Sequence, residues 1–279
     1  MSNTKAKKSK PITPGMRHLV TSDYSLLSKK RPERALSIGT KRKAGRNAQG
    51  KITVRRRGGG AKRKYREIDF KQDKWDIPGK IVSIEYDPFR SAFIALISYK
   101  DGEKRYIIAF EGAKVNGQVL SSQKRIDIKQ GNRLPLRHIP RGEEIFNVEL
   151  QESRGGVLIR SAGSRAIVLA RGVKYTQIKM PSGEIRLIPS GCLASIGRVS
   201  NIEHKSVKLG KAGRSRRLRR RPHVRGKAMN PKDHPHGGGE GRSPIGMKAP
   251  KTKWGKLALG VRTRKKKRSD RLILKRRKS

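Results

Sequence analysis

The amino-acid sequence predicts an all-β protein whose two ends are long basic extensions with irregular backbone. Short runs of β-branched and aromatic residues, separated by turn residues, occupy the middle of the 279-residue chain. Short strands at this spacing are typical of small barrels rather than of a parallel sheet. The apolar residues show no sustained helical period, and a short helix is expected only near residues 214–219.

Positive charge is concentrated at the two ends of the chain. The 71 Lys and Arg residues exceed the 21 Asp and Glu residues by 50, and this excess divides as +19 over residues 1–66, +7 over 67–202 and +24 over 203–279. The ends are also poor in apolar residues, so burial alone does not offset the entropy of ordering them. Because so much like charge repels itself, the sequence predicts a polyanion binder whose ends become ordered against the partner.

Several classes of protein are disfavoured by simple features of the sequence. The longest nearly uninterrupted apolar run, residues 92–97, is much shorter than the ~20 residues that cross a bilayer. The charged N-terminus is not followed by an apolar segment, so no secretory signal is expected. The single cysteine, Cys192, permits neither an internal disulfide nor a Cys-rich zinc finger. We therefore expect an intracellular protein that is neither membrane-anchored nor an ordinary metabolic enzyme.

The first set of predicted strands lies between residues 80 and 110. Runs at 80–86, 91–99 and 104–110 are rich in β-branched and aromatic residues. The Asp101-Gly102 pair between the last two runs predicts a hairpin in which both central turn residues have positive φ.

The second set of predicted strands begins near Ile139. Alternation over residues 145–150 places Phe146, Val148 and Leu150 on one face. Further strands are expected at residues 157–160, 166–171, 173–180 and 184–188. The chain is therefore predicted to consist of an N-terminal extension, two barrels and a C-terminal extension, at residues 1–60, 61–128, 129–202 and 203–279.

The N-terminal extension contains a candidate RNA-binding segment. Three arginines precede three glycines, and the basic run that follows the glycines ends in a tyrosine. Glycine lets backbone N–H groups approach a phosphate closely, arginine binds phosphate oxygens in pairs, and tyrosine can stack on an unpaired base. A solvated charge run on a flexible tail is the alternative. The candidate residues are Arg55, Arg56, Arg57, Gly58, Gly59, Gly60, Lys62, Arg63, Lys64 and Tyr65.

The C-terminal extension contains a second basic cluster, which we also expect to bind RNA phosphates. Such contacts position a protein without reading base sequence, and they weaken as salt rises. Nuclear targeting by the runs at 264–268 and 275–278 is an alternative, although targeting needs only one short cluster. The candidate residues in the cluster are Lys211, Arg214, Arg216, Arg217, Arg220, Arg221 and Arg225.

A histidine-containing string at residues 228–241 allows three interpretations. His234 and His236, with Asp233 and Glu240, could ligate a metal. His234 could act as a general base oriented by Asp233. We favour a third interpretation, a compact turn that enters a tight RNA cavity. In that interpretation His234, His236, Gly237 and Gly238 are RNA-binding, and the protein has no metal site.

Five stretches of the sequence, in this order and spacing, resemble a known family. The stretches are GRNAQGKITVRRRGGG (45–60), IEYDP (84–88), DGEKRYI (101–107), LGKAGRS (209–215) and NPKDHPHGGGEG (230–241). The sequence resembles the L-two family of bacterial large-subunit ribosomal proteins, which belongs to a universal ribosomal protein family, from about residue 35 to the C-terminus. This resemblance favours ribosomal RNA as the polyanion over duplex DNA, which a DNA-compacting protein would bind.

The resemblance implies a fold and a function. The fold is an oligonucleotide-binding-type barrel followed by an SH3-like barrel, with long basic extensions that enter ribosomal RNA. The function is that of a structural, primary RNA-binding constituent of the large subunit in the cytoplasm, supporting subunit association, transfer RNA binding and peptide-bond formation. The implied partners are large-subunit ribosomal RNA, neighbouring ribosomal proteins and small-subunit RNA.

The resemblance also bears on catalysis. It places His234 on the loop that approaches the peptidyl transferase region. A direct catalytic role has been proposed for the family and is disputed, and RNA is generally taken to be the catalyst. We therefore expect a protein that is not an enzyme. His234, with Asp233, is the weak candidate for a catalytic role. No cofactor is expected beyond Mg²⁺ held through RNA.

Overall fold

The chain divides into two units. The computed structural model describes residues 6–41, 43–240 and 243–277. The first unit comprises the described residues within Met1–Lys41, Lys62–Ala212 and Ser269–Ser279, and the second comprises those within Arg42–Ala61 and Gly213–Arg268. Gly241 and Lys278, which end two of the predicted motifs, lie outside the described residues.

Strands dominate the regular secondary structure. In chain order they are β1 Lys7–Lys8, β2 Val20–Thr21, β3 Ser37–Gly39, β4 Lys64–Arg66, β5 Gly79–Glu85, β6 Ile94–Ser98, β7 Lys104–Ile108, β8 Gln118–Val119, β9 Arg133–Pro135, β10 Glu144–Phe146, β11 Ala166–Arg171, β12 Tyr175–Lys179, β13 Ile185–Pro189, β14 Leu193–Ile196 and β15 Ile273–Lys275. The helices are α1 Pro14–Arg17 and α2 Ala212–Arg217, with 3₁₀ turns at Leu136–His138, Ile202–Ser206, Gly226–Ala228 and Arg268–Leu272.

A four-stranded antiparallel sheet forms from the first predicted set, in the order β7-β6-β5-β8. The predicted hairpin joins β6 to β7, but only Gly102 of the Asp101-Gly102 pair has positive φ, at 81°. The reason is that the loop has three residues, 100–102, because the Tyr99 amide donates to the Glu103 carbonyl at 3.0 Å. Within the loop, the amide of Gly102 donates to the carbonyl of Tyr99 at 3.1 Å. A glycine in the left-handed region is typical of such longer hairpin loops.

The second sheet has seven antiparallel strands in the order β15-β13-β12-β11-β10-β14-β9. The predicted strand over 145–150 ends at Phe146, because Asn147 has a φ of 48° and breaks the ladder. Val148 then makes only an isolated bridge to Leu158, which also shortens the strand predicted at 157–160. The residues from Ile145 to Glu149 are all buried, so burial does not alternate along this segment as the prediction of a continuous strand implied.

Parts of both predicted extensions are ordered in the first unit. β3, from the N-terminal extension, pairs with β4, and β15, from the C-terminal extension, pairs with β13 at the edge of the second sheet. The predicted short helix is present as α2 and begins two residues earlier than expected. The all-β class, with an oligonucleotide-binding-like and an SH3-like arrangement, is confirmed.

One hydrophobic core serves both sheets of the first unit. Its buried residues include Ile81, Ile94, Ile107, Leu134, Leu136, Ile145, Val168, Ile178 and Ala194. Phe110 bridges to Val199 across the two sheets. Because the sheets pack around this shared core, the N- and C-terminal segments of the same unit can pack against them.

A buried ion pair lies in this core. The Arg133 guanidinium is fully buried and donates to Glu149 Oε1 at 3.0 Å, to the Asn147 carbonyl at 2.8 Å and to the Lys71 carbonyl at 3.1 Å. Glu149 also accepts from the amides of Gly155 and Leu193. These hydrogen bonds, together with the attraction between the two charges, offset the free-energy cost of removing both charges from water.

Candidate nucleic-acid interface

In the second unit, two basic segments that are far apart in sequence lie side by side. Arg57 and Arg220 form an antiparallel bridge, and the Arg221 amide donates to the Arg56 carbonyl at 3.1 Å. The Ala61 amide donates to the Arg217 carbonyl at 3.2 Å. The structure therefore brings together the arginines that the sequence predicted as two separate RNA-binding segments.

The three glycines between these arginines all have positive φ, at 141° for Gly58, 62° for Gly59 and 81° for Gly60. A Cβ atom at Gly60 would lie 2.6 Å from the Arg217 carbonyl oxygen, so this glycine permits the close approach of the two segments. Gly59 faces open space. The amides of Gly59 and Gly60 donate no hydrogen bond to a described residue, which leaves them available to an anion.

Two cavities that share Gly58, Gly59 and Arg221 in their linings lie where the segments meet. The larger, of about 480 Å³, is lined by Ala44, Arg46, Ile52, Arg55, Arg56, Arg57, Gly58, Gly59 and Arg221. The smaller, of about 180 Å³, is lined by Gly58, Gly59, Gly60, Arg216, Arg217 and Arg221. No carboxylate lines either cavity, and no described residue pairs with the guanidinium of Arg55, Arg56 or Arg57. Guanidinium groups and free amides in this arrangement suit phosphate oxygens.

Backbone strain accompanies these cavities. Arg56 and Arg219 have φ values of 64° and 66°, a region that costs a non-glycine residue of order 1–3 kcal/mol. The Arg56 carbonyl accepts from the Arg221 amide, and Arg219 donates through Nη2 to the Ala61 carbonyl at 3.3 Å. Contacts between the two segments thus hold both arginines in this conformation.

The basic run at 62–65 belongs to the first unit. Arg63 Nη1 donates to the Pro88 carbonyl at 2.9 Å, and the Tyr65 ring packs edge-on against Phe89 with 5.3 Å between centroids. Lys62 and Lys64 are exposed. Arg63 and Tyr65 therefore have packing contacts of their own, and their binding to RNA stays a prediction.

The predicted C-terminal cluster extends over both units. Lys211 belongs to the first unit, where its side chain lies against Gly15, and Arg214 in α2 is half-buried. The remaining predicted residues of this cluster are exposed: Arg216, Arg217, Arg220, Arg221 and Arg225. Three of these line the cavities.

The histidine string folds as a compact loop. Asp233 and His234 both donate from their amides to the Asn230 carbonyl, at 2.9 and 3.2 Å. The amide of Gly237 donates to the His234 carbonyl at 2.8 Å, and that of Gly238 to the Met229 carbonyl at 3.1 Å. The backbone therefore closes on itself around the His234 ring.

His234 is a buried histidine, 9% exposed, that accepts through Nδ1 from the His236 amide at 3.1 Å. His236 accepts through Nε2 from the Lys251 amide at 2.8 Å. Burial lowers the pKa of His234, and the nearby His236 and Arg55 lower it further. Because both rings accept a hydrogen bond from backbone, this arrangement requires the acceptor nitrogen of each to be unprotonated.

The carboxylate of Asp233 forms no hydrogen bond with the His234 ring in the described structure. The pair therefore lacks the contact by which a carboxylate orients a histidine base. No group of three or more His, Cys, Asp or Glu side chains lies together as a metal site anywhere in residues 6–41, 43–240 and 243–277. Nor do those residues include a helix long and apolar enough to span a membrane.

Besides Ala44, two cavity residues were missed by the sequence analysis, Arg46 and Ile52. They form a bridge that closes the loop between them, in which Asn47 Oδ1 accepts from the Lys51 amide at 3.0 Å and Gly50 has a φ of 74°. An Asn followed three residues later by Gly is a turn signal. That signal could have placed Arg46 beside the arginine run.

Two family models match the chain over most of its length. The model described as Ribosomal Proteins L2, RNA binding N-terminal domain matches residues 33–122, and the model described as Ribosomal Proteins L2, C-terminal domain matches residues 129–255. The matched residues include the strands of both large sheets up to β14, the paired arginine segments and the histidine loop. The chain therefore belongs to the ribosomal L2 family of structural, RNA-binding proteins of the large ribosomal subunit.

Proposed function

We propose that this chain is a primary binder of large-subunit ribosomal RNA, whose backbone phosphates occupy the two cavities around Gly58 and Gly59. From that position the protein supports subunit association, transfer RNA binding and peptide-bond formation, with small-subunit RNA as a partner at the subunit interface. It works in the cytoplasm, as part of the ribosome.

One observation carries this proposal: arginines from two distant segments line cavities that contain no carboxylate. Without a negative partner, mutual repulsion disfavours placing seven arginine side chains around the same glycines. These arginines are Arg46, Arg55, Arg56, Arg57, Arg216, Arg217 and Arg221. An RNA backbone supplies several phosphates at regular spacing and so neutralises several arginines at once. The free amides of Gly59 and Gly60 add uncharged donors to the same oxygens.

The protein acts in this proposal by binding and not by chemistry. His234 has its Nδ1 occupied by the His236 amide, and Asp233 does not orient its ring. Cys192 is fully buried, and burial, together with Glu149 and Glu152, raises the pKa of its thiol to about 12. A thiol with that pKa stays protonated at neutral pH and is a poor nucleophile. We propose that any Mg²⁺ is held through RNA and that the protein itself needs no cofactor.

We also propose that the chain is divided into two barrels and two extensions, as the sequence predicts. The barrels are assigned to residues 61–128 and 129–202, and the extensions to 1–60 and 203–279. We propose that all the residues predicted from the sequence to bind RNA do so, and that those lining the two cavities make the main phosphate contacts. In this proposal His234 and His236 shape the loop that approaches RNA. Gly237 and Gly238 have no side chains, so the backbone of the loop can come close to the RNA.

Titration of the full chain with large-subunit ribosomal RNA at several salt concentrations tests this proposal. The logarithm of the affinity is expected to fall linearly with the logarithm of salt, by about 0.7–0.9 per phosphate neutralised. Arg56→Gln and Arg221→Gln should each weaken binding and reduce this slope by about 1. The exposed Lys100, which lines neither cavity and lies outside the predicted RNA-binding segments, supplies the control Lys100→Gln.

Two outcomes would contradict the proposal. One is binding to ribosomal RNA that does not depend on salt. The other is a preference for duplex DNA when both nucleic acids compete, which would indicate a DNA-compacting protein.

A further inference from the structure

An exposed tryptophan lies at the tip of a short hairpin in the second unit. Lys251 bridges to Leu257, and the Thr252 amide donates to the Lys256 carbonyl at 2.7 Å. Gly255, with a φ of 75°, closes the turn by donating to the Thr252 carbonyl at 3.0 Å. Trp254 precedes this glycine and is 73% exposed.

The indole of Trp254 has no partner among the described residues. It makes no ring contact, no cation–π contact and no hydrogen bond through Nε1 with any of them. Buried tryptophan normally contributes a large apolar surface and places its N–H on an acceptor. Leaving this ring in water forgoes both contributions, and tryptophan is enriched at interfaces, so its position favours a partner outside the chain.

The surroundings of Trp254 are cationic. Lys251, Lys253 and Lys256 lie on the hairpin, and the sequence contains no Asp or Glu between Glu240 and Asp270. Lysine is depleted at the centres of protein–protein interfaces. An aromatic face flanked by lysines is instead the arrangement with which proteins bind single-stranded nucleic acid, by stacking bases and attracting the backbone.

The hairpin is fixed at its base. The Ala258 amide donates to the Pro250 carbonyl at 2.9 Å, and the Lys251 amide donates to His236 Nε2 at 2.8 Å. The second bond ties the hairpin to the histidine loop within the same unit. An aromatic ring held on such a base loses less conformational entropy on binding than one on a free tail.

We propose that Trp254 stacks on an unpaired base of large-subunit ribosomal RNA, with Lys253 and Lys256 contacting the phosphates on either side. This inference rests on the proposed function and adds a base contact to its phosphate contacts. Trp254 is outside both cavities, so the two kinds of contact are separable by mutation.

Fluorescence of the full chain tests whether a base reaches the indole. The sequence contains two tryptophans, Trp75 and Trp254, so Trp75→Phe leaves Trp254 as the only reporter. Adding large-subunit ribosomal RNA is expected to quench this emission, and a fully paired RNA duplex at equal phosphate concentration should quench it much less. Equal quenching by both RNAs, or none by ribosomal RNA, would overturn the inference.

Affinity measurements provide the second test. Trp254→Ala is expected to weaken binding to ribosomal RNA about 5- to 150-fold, the range for losing one stacked base, while Trp254→Phe retains most of the affinity. The salt slope should not change, because no charge is removed. Leu259, also 73% exposed, gives the matched control Leu259→Ala, which removes an aliphatic side chain and should bind like the unchanged protein.

The outcomes separate this inference from the proposed function. If the unchanged protein binds ribosomal RNA with the expected salt slope and Trp254→Ala binds equally well, the stacking inference fails and the proposed function stands. If the unchanged protein does not bind ribosomal RNA, the proposed function itself fails. Loss of a protein partner by Trp254→Ala, with RNA affinity unaltered, would assign the tryptophan to a protein interface and overturn the inference.

Discussion

The two units of the molecule are stabilised in different ways. The first has a continuous apolar core and a fully hydrogen-bonded ion pair within it. In the described part of the second, His234 is the only buried residue, and most of the hydrogen bonds join backbone groups. Residues 43–61 and 213–268 also contain only two acids, Asp233 and Glu240. We therefore expect the first unit to be stable without a partner, and the second unit to be stabilised by binding an anionic partner.

The largest expected effect is in the first unit, at the buried ion pair. Glu149→Ala leaves the Arg133 guanidinium buried without a counter-charge and removes the acceptor of the Gly155 and Leu193 amides. We expect the free energy of unfolding, measured in urea, to fall by about 3–5 kcal/mol. The exposed pair Asp127–Lys129 is the control, since Asp127→Ala should cost less than about 1 kcal/mol.

A companion variant sharpens this prediction. Replacing both partners, as Arg133→Met with Glu149→Leu, removes the charges together and should recover part of the loss. If Glu149→Ala unfolded at the same urea concentration as the unchanged protein, the buried ion pair would not contribute to the stability of the first unit.

In the second unit, Gly60→Ala should impair RNA binding more than folding. Its Cβ atom would meet the Arg217 carbonyl oxygen and Arg219 Cγ, both at 2.6 Å, and would force the two arginine segments apart. With a positive φ in addition, we expect a cost of order 1–3 kcal/mol, or about 5- to 150-fold in affinity for ribosomal RNA.

Gly50→Ala is the matched control for this change. Gly50 also has a positive φ, of 74°, but a Cβ atom there would meet nothing within 4 Å. A similar loss of affinity in both variants would mean that backbone strain, and not separation of the segments, is responsible. The urea unfolding of the first unit should be the same in both.

Gly226→Ala should displace the His234 ring. The new Cβ atom would lie 2.5 Å from Cε1 and Nδ1 of that ring, so the hydrogen bond from the His236 amide is expected to break, at a cost of about 1 kcal/mol. Faster hydrogen exchange of the His236 amide would report this change. Gly213→Ala, which adds a Cβ atom in open space, should leave that exchange rate unaltered.

The smallest expected effect is the pH dependence of the histidine loop. The pKa of His234 is lowered from its usual value of about 6.5, so folding favours the neutral ring. Stability from this group is therefore fully present above about pH 6.5 and is lost as pH falls through the lower, folded-state pKa. An NMR titration of the His234 Cε1 signal checks the sign, and a midpoint above 6.5 would contradict it.

Local sequence signals predicted much of the first unit. The Asp101-Gly102 pair and the alternating runs around it were sufficient to place β6 and β7. The burial of Arg133 was not predictable in this way, because it depends on Glu149 and on the Lys71 carbonyl, which come close only after folding. The same holds for β15, a basic segment whose backbone pairs with β13.

The candidate site was predicted in its composition but not in its assembly. Arginine and glycine in both extensions indicated phosphate binding, yet nothing local to Arg56 or Arg221 shows that their backbones are hydrogen-bonded to each other. For His234, the sequence suggested contact with RNA, whereas the structure adds a buried ring held by Gly226 and His236. Trp254 was missed because a single aromatic residue among lysines has no period to detect.

The way the cavities are assembled has a consequence for the order of events in the cell. Arg55 to Gly60 leave the translating ribosome early, but Arg216 to Arg221 follow only after roughly 160 further residues. At about 5–20 residues per second, the second set emerges about 8–30 s after the first. If RNA binds in these cavities as we propose, incorporation into a nascent ribosomal particle through them must wait until residues 216–221 have been synthesised.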